Sequence, residues 1–468
     1  MSVEEKELEL LREAVEKSEK RMGYQIVQSD LNKTIITTLE DFIKSKKLIC
    51  YGGTAINNLL PKKAQFYNKN YELPDYDVFS KNAVADAKEL TDIFFKKGFE
   101  NVETRTAMVF GTYRVYVNFY PVIDITMMDA HLYAMFLKKG EKKDGIHYSP
   151  VNFLRMELYK ELSQPQGEIK RWEKVYKRLT ILNKYFPILK NCRHQKLNFT
   201  RDFKGNKNHS YLKEILLKNE DVVFIGGYAT NLYKKHSPRN SDDAAEEEEI
   251  PDFDILAVNA KKTAEDIKRK LSAKGITAPI NIVKKAQVWK IIPVHYEISI
   301  GKNIVCVVYE TIACHSYNVV KEDGVQIKVA AIDTLLNFLL AFIFSETSYY
   351  DETRIMCMAE YLIQMQSKTK FNNKGLFKRF SVNCYGTQQS IESMRELKSE
   401  KFRILKNKKN SSEYQKYFLR YNPLEKLEHE EDKLKKTIKK KNKKEKKQNR
   451  TFKNKIVANF INPLKYTF

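Results

Sequence analysis

Apolar and polar residues alternate along this chain with two different periods. From Asp30 to about Lys44, Ile35, Ile36, Leu39, Phe42 and Ile43 keep to one side of a 3.6-residue repeat, which predicts a helix. Glu4 to Arg21 is polar, with Leu8, Leu11, Ala14 and Val15 at helical spacing, and predicts an amphipathic helix before it. Lys47 to Tyr51 reads as a short strand, Thr54 to Leu60 as a short helix and Pro61 to Glu72 as a polar loop. Leu73 to Phe79 is the next strand, and Ala83 to Lys97 is a helix stopped by Gly98. Tyr113 to Tyr120 alternates with period two, and Val122 to Met127 is a further strand. Helices are expected over Pro150 to Leu162, Glu168 to Leu182 and Tyr211 to Lys218. Strands then recur around Val294 to Ile300 and Ile304 to Tyr309, followed by helices from Ile332 to Phe344 and Asp351 to Gln364. The longest apolar run, Val329 to Phe344, is broken by Asp333 and Asn337 and is too short for a bilayer, so a buried helix is expected there.

Part of this pattern occurs twice. Cys50-Tyr51-Gly52-Gly53-Thr54 is followed by Pro74-Asp75-Tyr76-Asp77-Val78, and Phe224-Ile225-Gly226-Gly227-Tyr228 by Pro251-Asp252-Phe253-Asp254-Ile255. The chain has 16 glycines in 468 residues, from which chance gives roughly half a Gly-Gly pair. The step from Asp75 to Asp252 is 177 residues, and it also carries Asn82-Ala83 onto Asn259-Ala260 and Lys97-Gly98 onto Lys274-Gly275. Two copies imply two fused domains, each a strand, glycine turn, helix, carboxylate strand and helix.

The first copy carries the denser chemistry. On a strand, residues two apart share a face, so Asp75 and Asp77 project together. Such a pair repels itself unless a cation neutralises it, which makes it a ready site for a hard divalent ion. Asp124, centred in the apolar run Val122-Ile123-Asp124-Ile125, is costly to bury without a partner. Strand pairing could bring it to the other two. Gly52 and Gly53 let backbone approach a phosphate at the start of a helix, and Thr54 adds a hydroxyl. Applying the 177-residue step to Asp124 lands on Gly301, with Glu297 and Glu310 the nearest acids, and Tyr228 replaces the threonine. The second copy therefore reads as structural or RNA-binding. Between the copies, Tyr148, Arg155, Arg171, Trp172, Lys174, Lys177 and Arg178 mix rings with cations, a composition suited to bases and phosphates.

A net charge of +24 points to a polyanionic partner. Lys433 to Lys455 contributes +12, from 13 Lys/Arg against Glu445, and reads as a solvated tail. Ser241 to Glu249 is an acidic insertion of mobile composition. Beyond about Lys370 less order is expected, although the aromatic run Tyr414 to Tyr421 could dock on the body. Six scattered cysteines without a Cys-x-x-Cys pair suggest reduced thiols and argue against zinc. With no apolar segment of a secretory signal near the acidic amino terminus, a cytoplasmic protein without membrane attachment is expected.

The order apolar-Gly-Gly-Thr, Asp-x-Asp on a strand and a later Asp resembles the nucleotidyltransferase superfamily. Within it the chain resembles the poly(A) polymerase catalytic subunits of large nucleocytoplasmic DNA viruses. The likeness runs through Leu48 to Ile56, Leu73 to Ser80, Phe94 to Phe99, Ile123-Asp124-Ile125, His147 to Pro150, Leu154-Arg155-Met156 and Arg171 to Lys174. It implies an α+β fold with two tandem nucleotidyltransferase-like domains, helical segments between and after them, and a basic tail. The boundaries expected are 1–29 for the amino-terminal helix, 30–190 for the catalytic domain, 191–370 for a degenerate second domain and 371–468 for a partly disordered basic region. By the resemblance, Asp75 and Asp77 would hold two Mg²⁺ (or Mn²⁺) ions, and Asp124 the one that activates a primer 3′-hydroxyl. Gly52, Gly53 and Thr54 would hold the ATP triphosphate, with Tyr148, Arg155 and Lys174 as further nucleotide-binding residues. The implied reaction is template-independent transfer of AMP from ATP to an RNA 3′ end with release of pyrophosphate, in host cytoplasm or virion, by a homodimer or with a processivity subunit. The alternatives are a catalytically silent RNA-binding scaffold and a nucleotidyltransferase acting on tRNA or protein.

Overall fold

The 177-residue step is a repeat of topology. The computed structural model describes residues 3–188, 192, 207–237, 253–368 and 374–427, apart from 69, 346 and 348, together with scattered positions between 435 and 446. Helices α1 (Val3–Gln28) and α2 (Asp30–Lys46) lead into β1 (Ile49–Tyr51), α3 (Gly52–Leu59), β2 (Tyr76–Ser80) and α4 (Ala83–Lys96). Strands β3 (Val102–Thr106), β4 (Thr112–Val117) and β5 (Tyr120–Met127) follow, then α5 (Ala130–Lys139), the hairpin β6 (Glu141–Lys143) and β7 (Ile146–Tyr148), and helices α6 (Val151–Leu162) and α7 (Trp172–Tyr185). Ser29 caps α2 by accepting from the Asn32 amide, and Lys47 ends it in the left-handed conformation. The buried stripe of α2 includes Ile35, Leu39, Phe42 and Ile43, four of the five expected from the periodicity. The expected stripe of α1 stays exposed, with Leu8 and Leu11 at least half accessible.

The second half repeats the series: α8 (Lys207–Leu217), β8 (Val223–Ile225), α9 (Gly226–Lys235), β9 (Phe253–Ala257), α10 (Ala260–Ser272), β10 (Ile280–Lys285), β11 (His295–Ile300), β12 (Asn303–Glu310), the hairpin β13 (His315–Glu322) and β14 (Val325–Ala330), then α11 (Ile332–Phe342) and α12 (Glu352–Lys368). After these come β15 (Cys384–Tyr385), α13 (Ile391–Leu405), α14 (Ser412–Phe418) and β16 (Arg420–Tyr421). Each half forms the body of an eight-stranded mixed sheet, and β15 and β16 from the end of the chain add one edge strand to each. The orders are β16-β3-β4-β5-β2-β1-β7-β6 and β10-β11-β12-β9-β8-β14-β13-β15, so the five strands β3-β4-β5-β2-β1 match β10-β11-β12-β9-β8 in order and direction. The fold is α+β with tandem sheets, and α6 of the first unit packs against α11 of the second.

Strand register corrects one sequence expectation. Asp77 pairs with Asp124 in the first sheet, and the matching pair in the second is Asp254 with Val307, not Gly301. The repeat gains residues between β9 and β12, so a fixed step fails there. Glu297 pairs with Val307 as Arg114 pairs with Asp124, which makes Glu297 the counterpart of the arginine and not of a third carboxylate.

Three further expectations change. Cysteines Cys192 and Cys357, and Cys314 and Cys384, form disulfides across 165 and 70 residues, where reduced thiols were expected. Folding brings their Cα atoms to 5.8 and 5.1 Å, which residue spacing alone does not reveal. The region after 370 contributes two helices and two strands, and the Tyr414 to Tyr421 run does dock, since β16 pairs with β3 and the Tyr421 hydroxyl donates to Asp92 at 2.5 Å. Strands β3, β6, β7, β10, β13 and β14 and helix α5 escaped the periodicity. The acidic Ser241 to Glu249 insertion, Asp252 and most of the Lys433 to Lys455 tail lie outside the described residues.

Candidate active site

Strand pairing aligns four side chains in a row across the first sheet: Tyr51, Asp77, Asp124 and Arg114. Directly paired residues share a face, so both carboxylates emerge together. Asp75 stands two residues before Asp77, just ahead of β2, and is exposed. All three acids line one cavity of about 490 Å³. The sequence-expected Gly52, Gly53, Thr54 and Lys174 line it too.

The glycine turn is fixed by close approach. Gly52 has φ +71°, and a Cβ there would stand 2.7 Å from Asp77 Oδ2; at Gly53 a Cβ would meet the Arg178 guanidinium at 2.8 Å. Gly52 therefore disfavours a side chain through its positive φ and the close carboxylate, whereas a side chain at Gly53 would have to displace Arg178. The amino terminus of α3 opens into the cavity beside them. The Thr54 hydroxyl donates to the Asp75 carbonyl at 2.5 Å. In this state it holds the Asp75 backbone against the turn.

The electrostatics are crowded. Burial, then Asp75 and Asp124, push the Asp77 carboxyl up to about 7, against the pull of Arg114 and Arg171. Arg114 grips Asp124 with two hydrogen bonds, Nε to Oδ1 at 2.7 Å and Nη2 to Oδ2 at 2.6 Å. Asp124 in turn raises the Arg114 guanidinium above its ordinary value, chiefly through those bonds. The opposite wall is cationic. Burial, then Arg178 and Arg171, lower the Lys174 ammonium. Arg178 donates to the Tyr67 hydroxyl and lies over the Phe66 ring at 4.9 Å. The long loop after α3 reaches this wall because the Asn57 side chain accepts from the Phe66 and Tyr67 amides, each at 2.8 Å. On α6, Glu157 and Glu161 face the same space. Glu161 is raised mainly by burial, and its Oε2 has no hydrogen-bond partner among the described residues.

Two expected nucleotide-binding residues lie elsewhere. Tyr148 is buried behind β1, where its hydroxyl accepts from the Asn58 amide at 3.2 Å. Arg155 points away from the cavity and joins α6 to the end of α7, donating to Asn183 Oδ1 at 2.7 Å, to Asn152 Oδ1 and to the Phe186 carbonyl. Both are satisfied by protein groups, as buried polar atoms must be. Sequence reasoning assigned no role to Arg114, Tyr67, Glu157 or Glu161. It placed Arg171 and Arg178 only in a mixed cluster, although their spacing of three and four residues from Lys174 puts all three on one helical face.

The second unit keeps the turn without the space. Gly226 has φ +64° and a Cβ there would clash with Asp254, as in the first unit. Yet the corresponding cleft, closed by Phe342, Tyr349, Tyr350 and Met358 among others, retains about 10 Å³, near the minimum for one water. Its strand row reads Ile225, Asp254, Val307, Glu297.

Residues 37–168, which hold both glycines and all three aspartates of the first cavity, match the family model described as Poly(A) polymerase catalytic subunit. This segment is similar to the poly(A) polymerase catalytic subunits. An Acanthamoeba polyphaga mimivirus protein provisionally named poly(A) polymerase catalytic subunit is 28% identical over 253 residues, which is 52% of this chain and 41% of that protein. One of the same provisional name from African swine fever virus (isolate Tick/Malawi/Lil 20-1/1983) is 33% identical over 157 residues, 33% of either chain. The alignments thus span less than half the length of these relatives. The crystal structure of the Megavirus polyadenylate synthase shares the fold over 94% of this chain and 90% of its own, with a TM-score of 0.74 at 21% identity.

Proposed function

We propose that this chain is a template-independent poly(A) polymerase, transferring AMP from ATP to the 3′-hydroxyl of RNA and releasing pyrophosphate. The observation that carries the reading is the Asp77–Asp124 pair, with Asp75 beside it, opening with the glycine turn into a cavity whose far wall is cationic. The segment that supplies these acids is the one similar to poly(A) polymerase catalytic subunits.

The donor set suits a hard divalent ion. Three carboxylates line one cavity, and Asp77, raised first by burial and then by Asp75 and Asp124, carries a repulsion that a cation would relieve. Among the described residues no three acids, histidines or cysteines form a ready ligand shell. In this state the Arg114 guanidinium takes both oxygens of Asp124. Asp75, Asp77 and Asp124 would hold Mg²⁺ or Mn²⁺, which when bound supplies Lewis-acid activation of the attacking oxygen and charge neutralisation at phosphate. The chain's own groups do the positioning. Gly52 and Gly53 let the triphosphate reach the amides at the start of α3. Arg171, Lys174 and Arg178 face it from α7 and the turn before it, where cations stabilise a pyrophosphate leaving group. Tyr67, held by Arg178, offers a ring to the base side of the cavity.

The partners in this reading are an RNA 3′ end and ATP. No helix among the described residues is long and apolar enough to cross a membrane, and the proposed setting is host cytoplasm or virion. The test incubates a short single-stranded RNA with Mg²⁺ or Mn²⁺ and each nucleoside triphosphate in turn, beside an Asp75→Ala/Asp77→Ala variant. Extension with ATP that vanishes in the variant is expected. RNA binding without extension under every triphosphate overturns the catalytic reading in favour of a scaffold.

A further inference from the structure

A second cavity, of about 540 Å³, lies between the two units. It is built where the repeat meets itself. The loop joining β3 to β4 supplies Phe110, its topological counterpart joining β10 to β11 supplies Trp289, and α13 and α14 close the far side. Helix α6 is the wall common to both cavities. Glu157 and Glu161 face the aspartates, whereas Lys160 and Gln164, about one turn further on, face the second space.

The two linings differ in charge. The first holds five carboxylates opposite four cations. Among the described residues lining the second there are three lysines and no carboxylate. Lys290 Nζ donates to the Phe110 carbonyl at 2.8 Å and Lys398 Nζ to the Ala107 carbonyl at 2.6 Å, both neutral acceptors. Lys160 pairs with Glu157 at 3.3 Å. Burial, then Lys160, lowers the Lys290 ammonium against the pull of Glu157, and burial lowers that of Lys398. Apolar faces sit beside these charges. Phe110 and Tyr417 lie 4.4 Å apart, and Trp289 packs edge-on against Phe79 with its Nε1 committed to the Met127 carbonyl at 3.2 Å. Trp289 has φ +45°, a left-handed backbone that is unusual for a bulky residue and common where a side chain is aimed for function. Gln388 Oε1 is buried here without a hydrogen-bond partner, an acceptor awaiting a donor.

We propose that this inter-unit cavity binds a nucleotide of single-stranded RNA upstream of its 3′ end, with Lys290 and Lys398 on phosphate and the Phe110, Trp289 and Tyr417 rings on the base. The cations fit a polyanion, the rings fit any base face, and the glutamine amides fit base edges. A free anion would use the lysines alone and leave the rings and Gln388 idle. The two cavities lie on either side of α6, so a strand whose end lies at the aspartates would pass that helix to reach the second space. The inference rests on RNA being the substrate, but not on catalysis.

The chain has two tryptophans, so Trp172→Phe leaves Trp289 as the sole reporter in the full-length protein. Titration with oligoadenylates of about three and about twelve nucleotides, lengths that bracket one single-strand site, is expected to quench Trp289 emission with the longer one only. Lys290→Gln/Lys398→Gln should weaken binding of the longer RNA by about tenfold or more, and should reduce the slope of log K against log salt by about 0.7 per lost contact. Lys290→Arg/Lys398→Arg should recover most of both. Unchanged affinity and slope in a glutamine variant that melts like its parent overturns the proposal, as does equal quenching by the two lengths. Lysine-dependent binding without extension would leave the site standing and remove the polymerase reading. Normal extension with lysine-independent binding would remove the site alone.

Discussion

Arg155 separates what residue type suggests from what folding requires. It is 1% exposed and lies beside segments that resemble a nucleotide-binding enzyme, yet its three acceptors are Asn183 Oδ1, Asn152 Oδ1 and the Phe186 carbonyl. Hydrogen bonds from a charged donor contribute about 1.5–3 kcal/mol each, so three amount to roughly 5–9 kcal/mol. Against this stands desolvation, which pushes the guanidinium down to about 10. Relative to an ordinary value of about 12.5, that fall costs roughly 3 kcal/mol. Replacing Arg155 with Leu removes both contributions and strands the three acceptors inside the protein. The expected net loss is about 2–6 kcal/mol, seen as a lower urea midpoint. Arg155→Lys should recover part of it. Since Arg155 does not line the aspartate cavity, the KM for ATP of the surviving folded protein should stay within about twofold, the scale expected for a mutation that leaves substrate contacts alone. An Arg155→Leu protein that unfolds like its parent but binds ATP tenfold or more weakly would falsify this assignment.

Other outcomes follow from the same geometry. Asp77 is raised from 3.8 to about 7, so the native chain holds that proton more tightly than the unfolded one. The associated stability is full below about pH 4 and is lost as pH rises through about 7. Screening in the open cavity reduces the full difference to about 2 kcal/mol; Asp77→Asn should be more stable than its parent by that amount at pH 8 in chelator, with the gap closing toward pH 4, and a pH-independent gap refutes the cause. Gly52→Ala forces a side chain against Asp77 at φ +71° and should lower extension about a hundredfold; Gly226→Ala, equally strained, should cost about 1–2 kcal/mol of stability with extension nearly intact. Breaking the Cys192–Cys357 bridge, which spans 165 residues, should cost about 3–5 kcal/mol. A reductant should therefore lower the thermal midpoint of the parent and leave a variant with all four bridge cysteines replaced by alanine unmoved.

The sequence by itself determined the repeat, its two glycine turns and the acids of the first copy, because each rests on local periodicity. Asp77 falls on a strand as its alternation requires, although β2 begins at Tyr76 and not at Leu73 and leaves Asp75 just ahead of it; the apolar neighbours of Asp124 demand a strand, and a glycine doublet before a helix needs no distant partner to be read. The buried face of α2 and the edges of α4 were legible for the same reason. Tertiary structure decided what register, burial and long-range contact control. It paired Asp124 with Arg114 and put Val307, not Gly301, at the matching place in the second unit. It buried Tyr148 and Arg155, whose polar atoms suit a ligand or a core equally well until their partners are known. It filled one cleft with Phe342 and Tyr350 and left its twin open. It joined four cysteines across 70 and 165 residues. A strand's period says which face a side chain takes. Only the strands and helices packed against that face decide whether the side chain meets water, a charge or another ring.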